Sequence, residues 1–303
     1  MTLLAASVEP TSPPLVRSIA SAVPAWRRDP RLYQIATLGG LLVYGMGWLG
    51  FDIEPPMAAL IVITALATQL VATRLSGHGR FDPRSALISG LSLCLLLRTG
   101  SPALAVGAAM VAVGSKFLIR FRGKHVFNPT NGALVAMLLL SDGVWVSSGQ
   151  WGSAAIFAFL MGSTGSLVVN RAARADVAWT FLAAHMALLL GRTLWLGDPL
   201  AVPLHRLASG ALVLFTFFMI SDPRTTPDSR AGRILFAILV AAGGYIVQYR
   251  LFHTNALLWS LAVCSLLVPL IDRWLPGRRH HWTAPGPDHA RERSAPCTVS
   301  PLA

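Results

Sequence analysis

The sequence predicts an all-α integral membrane protein of about ten transmembrane helices, built as a five-plus-five inverted repeat with both termini in the cytoplasm. Three observations carry this prediction. First, 54% of the 303 residues are hydrophobic and only 13% are charged, with a mean hydropathy of +0.58; a soluble domain carries about 25% charged residues. Second, apolar stretches recur at residues 32–51, 57–75, 85–97, 102–119, 127–140, 151–169, 177–196, 204–221, 232–249 and 254–271. Third, the basic residues gather in alternate loops, as the positive-inside rule requires of cytoplasmic loops.

Taken in order, residues 1–29 read as a disordered cytoplasmic arm that ends in a basic collar, Arg27 and Arg28. Residues 1–25 hold four prolines and only a weak apolar run. The first span, rather than a secretory signal, is therefore expected to direct insertion. The membrane domain follows over 30–275, with halves of roughly 30–150 and 151–275. Loops after even-numbered spans hold Arg80 and Arg84, then Arg120, Arg122 and Lys124, then Arg171 and Arg174, then Arg224 and Arg230. The opposite loops hold Asp52, Glu54, Asp142 and Asp198, with Arg98, Arg206 and Arg250 as the basic exceptions. Residues 276–303, rich in Pro, Arg and His, read as a disordered basic tail. The localisation that follows is a bacterial inner membrane, crossed many times, with the lipid bilayer as first partner.

The halves echo each other at an offset of about 120 residues. Arg84-Ser-Ala-Leu-Ile-Ser-Gly90 resembles Arg206-Leu-Ala-Ser-Gly210, and Asn131-Gly-Ala-Leu134 resembles Asn255-Ala-Leu-Leu258. A five-span offset inverts the second copy and puts a site near the midplane.

Composition also excludes. A net charge of +12 would suggest nucleic acid in a soluble chain, but here it sits in membrane-flanking loops, so no nucleic-acid partner is expected. The cysteines, Cys94, Cys264 and Cys297, lie far apart without metal-ligand spacing, which supports no metal site. His185 sits mid-span with no second histidine at its depth, and reads as a hydrogen-bonded core residue rather than a haem ligand.

The chain is organised around Ser115–Leu140. A basic turn (Arg120, Arg122, Lys124, His125) leads into a short apolar segment opened by Asn128-Pro-Thr-Asn-Gly132. That segment is apolar for about a dozen residues, short of the ~20 a span needs. Asn128-Pro129 is a helix start with Asn as N-cap. Asn131 follows one turn later, and two intramembrane amides there can both donate to and accept from a ring edge. Phe217–Pro227 ends the eighth segment in a turn set by Asp222-Pro223, with Thr225 beside it. Its acid belongs to the same face as the Arg120–His125 turn. Ser163 and Thr164, in the run Met161–Ser166, either permit close helix packing or line a ligand.

On SKFLIRFRGKHVFNPTNGAL and FFMISDPRTTP, the chain resembles the family of NqrB, RnfD and RnfE, membrane subunits of sodium-pumping NADH:quinone reductase and of the Rnf electron-transport complex. Within it the likeness is to stand-alone RnfD-like proteins, including those named UnbU that occur beside enediyne biosynthesis genes. The resemblance covers roughly residues 30–275 and implies flavin-mediated electron transfer, with partner subunits or a quinone as donor or acceptor. The family's covalent FMN is esterified to a threonine in a Ser/Thr-Gly-Ala-Thr motif. This chain has no Gly-Ala-Thr, and its corresponding loop, Ser141–Gln150, has no threonine. Covalent FMN is therefore not expected. The family's Gly-Ser-x-Gly-Glu-Thr-Ser run is replaced by Gly165-Ser-Leu-Val-Val-Asn170.

The resemblance implies that Asn128, Asn131 and Asp222 hold a non-covalent flavin, either riboflavin or FMN. Arg120, Lys124 and His125 would lie near an anionic group, with Ser163, Thr164 and Thr225 as further contacts. No residue is assigned a catalytic role, and electron transfer without independent catalysis is the expected activity. A transporter or channel for a small polar solute, or a scaffold without a ligand, are the alternatives on the same fold.

Overall fold

The computed structural model describes residues 29–77, 81–147, 175–207 and 209–277. It is helical throughout, apart from two short ladders. The first half holds α1 (Pro30–Gly47), α2 (Pro55–Ser76), α3 (Pro83–Leu96), α4 (Pro102–Leu118) and α5 (Pro129–Leu140). Each begins at a proline. Proline has no N–H to leave unsatisfied in the first turn and arrives with its φ already helical. The residue before supplies the cap in three cases. Asp29 accepts from Arg31 N (3.0 Å), Asp82 from Arg84 N (3.2 Å) and Asn128 from Asn131 N (3.1 Å).

The second half holds α6 (Ala175–Leu196), α7 (Ala201–Leu207), α8 (Gly210–Leu214), α9 (Arg230–Tyr249), α10 (Ala256–Ser265) and α11 (Val268–Trp274). α8 runs straight into a π turn, Phe215–Met219, where Ile220 N reaches back five residues to Phe215 O at 3.0 Å. The α7–α8 and α10–α11 pairs are bent by 48° and 50°.

Among the described residues, α2, α6 and α9 are long and apolar enough to cross a bilayer, and the count reaches five if each bent pair is one span. α3, α4 and α5 are apolar but short. The predicted segment 151–169 lies outside the described residues, as do Ser163 and Thr164. α2 packs against α3 and α4, α4 against α5, and α9 against both α6 and α10. Their shared core is lined by small residues: Ala65, Ala105, Ala108, Ala109 and Ala112 in the first half, Ala237 and Ala241 in the second. Small side chains let helices approach closely where lipid offers no hydrophobic driving force.

Side-chain contacts gather the loops into two ends. At one end, an ion-pair group ties the starts of α1 and α3. Asp29 meets Arg84 (2.6 Å) and Arg31 (2.8 Å), and Arg31 also reaches Asp82. Burial alone would raise the Asp29 pKa, but the bonds from Arg31 and Arg84 override it and hold the carboxyl below its usual range. At the other end, β1 (Leu97–Arg98) pairs antiparallel with β4 (Trp145–Val146), and the Arg98 guanidinium lies 5.8 Å from the Phe51 ring centroid.

Candidate functional site

The Ser115–Leu140 stretch folds as a hairpin feeding a capped helix. β2 (Arg120–Phe121) pairs with β3 (Lys124–His125) across a two-residue turn, Arg122-Gly123, in which both residues have positive φ (49° and 79°). That geometry matches strand twist, and glycine takes the second position at no steric cost. The hairpin stands on the end of α4, where Arg120 Nε donates to Lys116 O and the guanidinium lies 5.5 Å from the Phe117 ring centroid.

The two halves meet at Asn128. Its Oδ1 caps α5, while its Nδ2 donates to Met219 O (3.3 Å) and Asp222 Oδ2 (3.4 Å). Asp222 in turn organises its own turn. Oδ1 accepts from Arg224 N (3.0 Å), and its carbonyl accepts from Thr225 Oγ1 (3.3 Å) and Thr226 Oγ1 (3.1 Å). The π turn is what delivers Met219 O and Asp222 to this place, because it shifts the chain by one residue relative to a regular helix.

Beside Asn128 opens a cavity of about 310 Å³, near the lower end of the ~300–1,000 Å³ of ligand pockets. Gln69 and Thr73 of α2, Ser85, Ser89 and Ser92 of α3, and Lys116 of α4 form one side. Arg120, His125, Asn128, Phe217, Phe218, Asp222 and Arg224 form the other. Lys116 is only 4% exposed and donates to Ser85 O (2.7 Å) and Ser85 Oγ (3.1 Å). Gln69 Oε1 and His125 Nδ1 are buried and find no hydrogen-bond partner among the described residues. Burial pushes the His125 pKa down to about 3, and the charges of Arg224, Arg120 and Lys116 add to the effect. The imidazole is neutral at pH 7 and offers an acceptor.

Of the residues singled out in the sequence, Asn128, Asp222, Arg120 and His125 line this cavity. Three others do not. Asn131 is fully buried between α5 and α10, where Nδ2 donates to Leu258 O at 3.2 Å and Oδ1 has no partner among the described residues. Lys124 turns away from the cavity to Asp228 (3.0 Å) and Asp272 (2.7 Å), clamping the hairpin to the chain before α9 and to α11. Thr225 is buried in the Asp222 turn. His185 is buried as expected and stacks on Phe181 (5.6 Å between centroids), but its Nδ1 lacks the expected hydrogen bond among the described residues.

Gln69 and Lys116 went unnoticed in the sequence. The available signal was Gln69 and Thr73 at a four-residue spacing on one face of an otherwise apolar helix.

Comparison with known proteins shows what the chain is similar to. A sequence profile described as the NQR2, RnfD, RnfE family matches residues 140–280. A protein of Stutzerimonas stutzeri, named as a subunit of an ion-translocating oxidoreductase complex, is 28% identical over 259 residues, 62% of this chain and 73% of the relative. The protein of the same name from Tolumonas auensis is 36% identical over 78 residues, 26% of this chain and 22% of the relative. That from Erwinia tasmaniensis is 30% identical over 123 residues, 40% of this chain and 34% of the relative. The chain thus spans about a fifth to three-quarters of these relatives' lengths. With its apolar helices, this likeness is that of a multi-pass membrane protein, similar over residues 140–280 to the NQR2, RnfD, RnfE family.

Proposed function

We propose that this chain is the membrane subunit of an ion-translocating oxidoreductase assembly of a bacterial inner membrane. In this reading the cavity beside Asn128 holds a flavin without a covalent bond, and electrons pass to or from a partner subunit or quinone. The observation that carries it is the cavity wall itself. It joins Asn128 and Asp222 from the two halves and presents two buried polar atoms, Gln69 Oε1 and His125 Nδ1, that lack partners among the described residues. Buried polar atoms are ordinarily satisfied, so a polar ligand is the natural complement. A bound flavin would supply the one- and two-electron chemistry. The chain would supply position: Phe217 and Phe218 as apolar walls, the Asn128 amide and Asp222 as polar contacts, and a neutral His125.

Ten spans in two inverted repeats suit the packing. In the first half α2 contacts α4 and α4 contacts α5; in the second α6 contacts α9 and α9 contacts α10, one position for one. Asn128 and Asn255 are the N-cap residues of α5 and α10, only Asn128 capping through its side chain, and α5 meets α10 across the interface. The end carrying the hairpin is the cytoplasmic one on the charge rule.

Protein extracted under mild conditions should show flavin absorbance bands that disappear on denaturation and filtration. Protein with no bound flavin, even when supplied with riboflavin and FMN, rejects this function. The bent α7–α8 and α10–α11 pairs favour a second reading, a transporter for a small polar solute. Solute uptake by flavin-free proteoliposomes is its test.

A further inference from the structure

We infer that the end of the molecule away from the hairpin binds the headgroup of an anionic phospholipid, held by Arg192, Arg206 and Arg250 around Tyr249. The site is separate from the cavity beside Asn128 and stands or falls without it.

Position is the first observation. α6 and α9 are tied at their starts, where Arg233 Nε donates to Asp176 Oδ2 at 2.8 Å. The hairpin is clamped to that same end through Lys124 and Asp228. The far ends of both helices, Leu196 and Tyr249, therefore lie together at the opposite end. Arg206, in the last turn of α7, joins them there. Loops on that face are expected to be poor in arginine. Two of the three residues that break the rule, Arg206 and Arg250, nevertheless converge at this one place.

Geometry is the second. Arg192 Cζ lies 4.4 Å from the centroid of the Tyr249 ring, and Arg206 Cζ lies 5.4 Å from the same centroid. One ring thus gathers guanidinium groups from two helices. A guanidinium that lies over a ring still has N–H donors in its plane to offer a phosphate. Arg250 follows directly as the C-cap residue of α9, and its side chain is exposed.

Charge is the third. Asp198 pairs with Arg192 at 2.9 Å. Arg206 and Arg250 form no ion pair among the described residues, and the connections 197–200 and 250–255 hold no other acid. Arginine stays charged in proteins, so three cations stand against one carboxylate. The surface around them is apolar: Trp195 is 88% exposed, Phe252 83% and Leu204 60%. A cationic centre with an apolar skirt is the complement of a lipid, whose phosphate meets the first while its acyl chains cover the second. An acidic protein loop would meet the charge alone. Phosphatidylcholine has the phosphate, but its own ammonium cancels the charge. Phosphatidylglycerol has no such ammonium.

The test uses the full chain in phosphatidylcholine nanodiscs doped with photoactivatable phosphatidylglycerol or photoactivatable phosphatidylcholine. Crosslinks to residues 192–206 and 249–253 are read by mass spectrometry. In wild type the phosphatidylglycerol yield there should exceed the phosphatidylcholine yield at least about fivefold, the gain expected from one arginine at an anionic surface. Arg250→Gln changes only an exposed side chain and should lower that ratio. Arg206→Gln with Arg250→Gln should bring it to about one, because Asp198 cancels the Arg192 that remains. A wild-type ratio near one overturns the inference, as does a ratio that both variants leave unchanged. If the double variant lowers both yields together, the arginines only hold α7 to α9 and the inference falls. Equal yields, with a co-purifying subunit that the double variant loses, assign the patch to an acidic protein and overturn it as well.

Discussion

Replacing Asn128 tests how the two halves are joined. In Asn128→Ala the α5 cap is lost, worth about 1 kcal/mol. Met219 O also loses the Asn128 amide and keeps only the long bond from Asp222 N (3.4 Å), and one hydrogen bond is worth about 0.5–1.5 kcal/mol. The contact to Asp222 is long at 3.4 Å and adds little. The sum is about 1.5–2.5 kcal/mol. Asn128→Asp separates these contributions, because aspartate caps as well as asparagine. Its second oxygen would instead face Met219 O and the Asp222 carboxylate. Two charges at the 3.4 Å of the present contact repel by about 5 kcal/mol at an effective dielectric of about 20. The new carboxyl therefore has a raised folded-state pKa. Its penalty is absent below the unfolded pKa of about 4 and grows as pH rises from there to the folded value. Unfolding in nanodiscs, followed by denaturant titration at pH 4.5 and pH 7.5, should show the aspartate variant near wild type at the lower pH and several kcal/mol weaker at the higher. An Asn128→Asp protein as stable as wild type at pH 7.5 would refute the contact between Asn128 and Asp222.

Other substitutions give sharper signs than sizes. Asn131→Leu removes one interhelical hydrogen bond, worth about 0.6 kcal/mol in a membrane, but also removes an unsatisfied buried oxygen; stability measured by the same titration should stay within about 1 kcal/mol or rise. Lys124→Met strands Asp228 and Asp272, which are 10% and 19% exposed, and should cost about 3 kcal/mol, whereas adding Asp272→Asn and Asp228→Asn should recover part of it in a double-mutant analysis. For His125 the folded pKa of about 3 lies below the ordinary 6.5, so the unfolded chain binds the extra proton. Stability is then full above pH 6.5 and falls by up to about 1.4 kcal/mol per unit below it. A thermal-unfolding comparison with His125→Gln between pH 7 and pH 5 should show that slope in wild type alone.

Much of the frame was legible because local chemistry dictates it. Every helix of the first half starts at an X-Pro step, since a proline in the first turn leaves no N–H unsatisfied and already has a helical φ. The Arg122-Gly123 hairpin and the brevity of α5 follow in the same way. The meeting of Asn128 with Asp222, 94 residues apart, was legible only through shared topology and family likeness. Lys116 was not legible. A lysine in the last turn of an apolar helix ordinarily extends to the interface, and only the packing of α3 over it makes it buried. Lys124 was misleading for the opposite reason. Its partners Asp228 and Asp272 lie more than a hundred residues away, and nothing near it in the chain predicts them. The π turn has no sequence mark, because a single shifted backbone bond leaves the apolar pattern intact.

The Asn131–Leu258 bond also bears on how this protein is made. Synthesis delivers α5 long before α10. At twelve residues, about 18 Å, α5 falls short of a bilayer core of about 30 Å, and its amide has no carbonyl to meet until residue 258 is in place. During that interval the helix is unable to settle as an independent span, and its stable position is a shallow one near the headgroups or within the insertion machinery. Arrival of α10 supplies the missing acceptor and draws α5 inward. Ribosomes stalled before and after residue 258 should leave Asn131 respectively accessible and inaccessible to water-soluble labels at an engineered cysteine, marking the moment at which the two halves become one membrane protein.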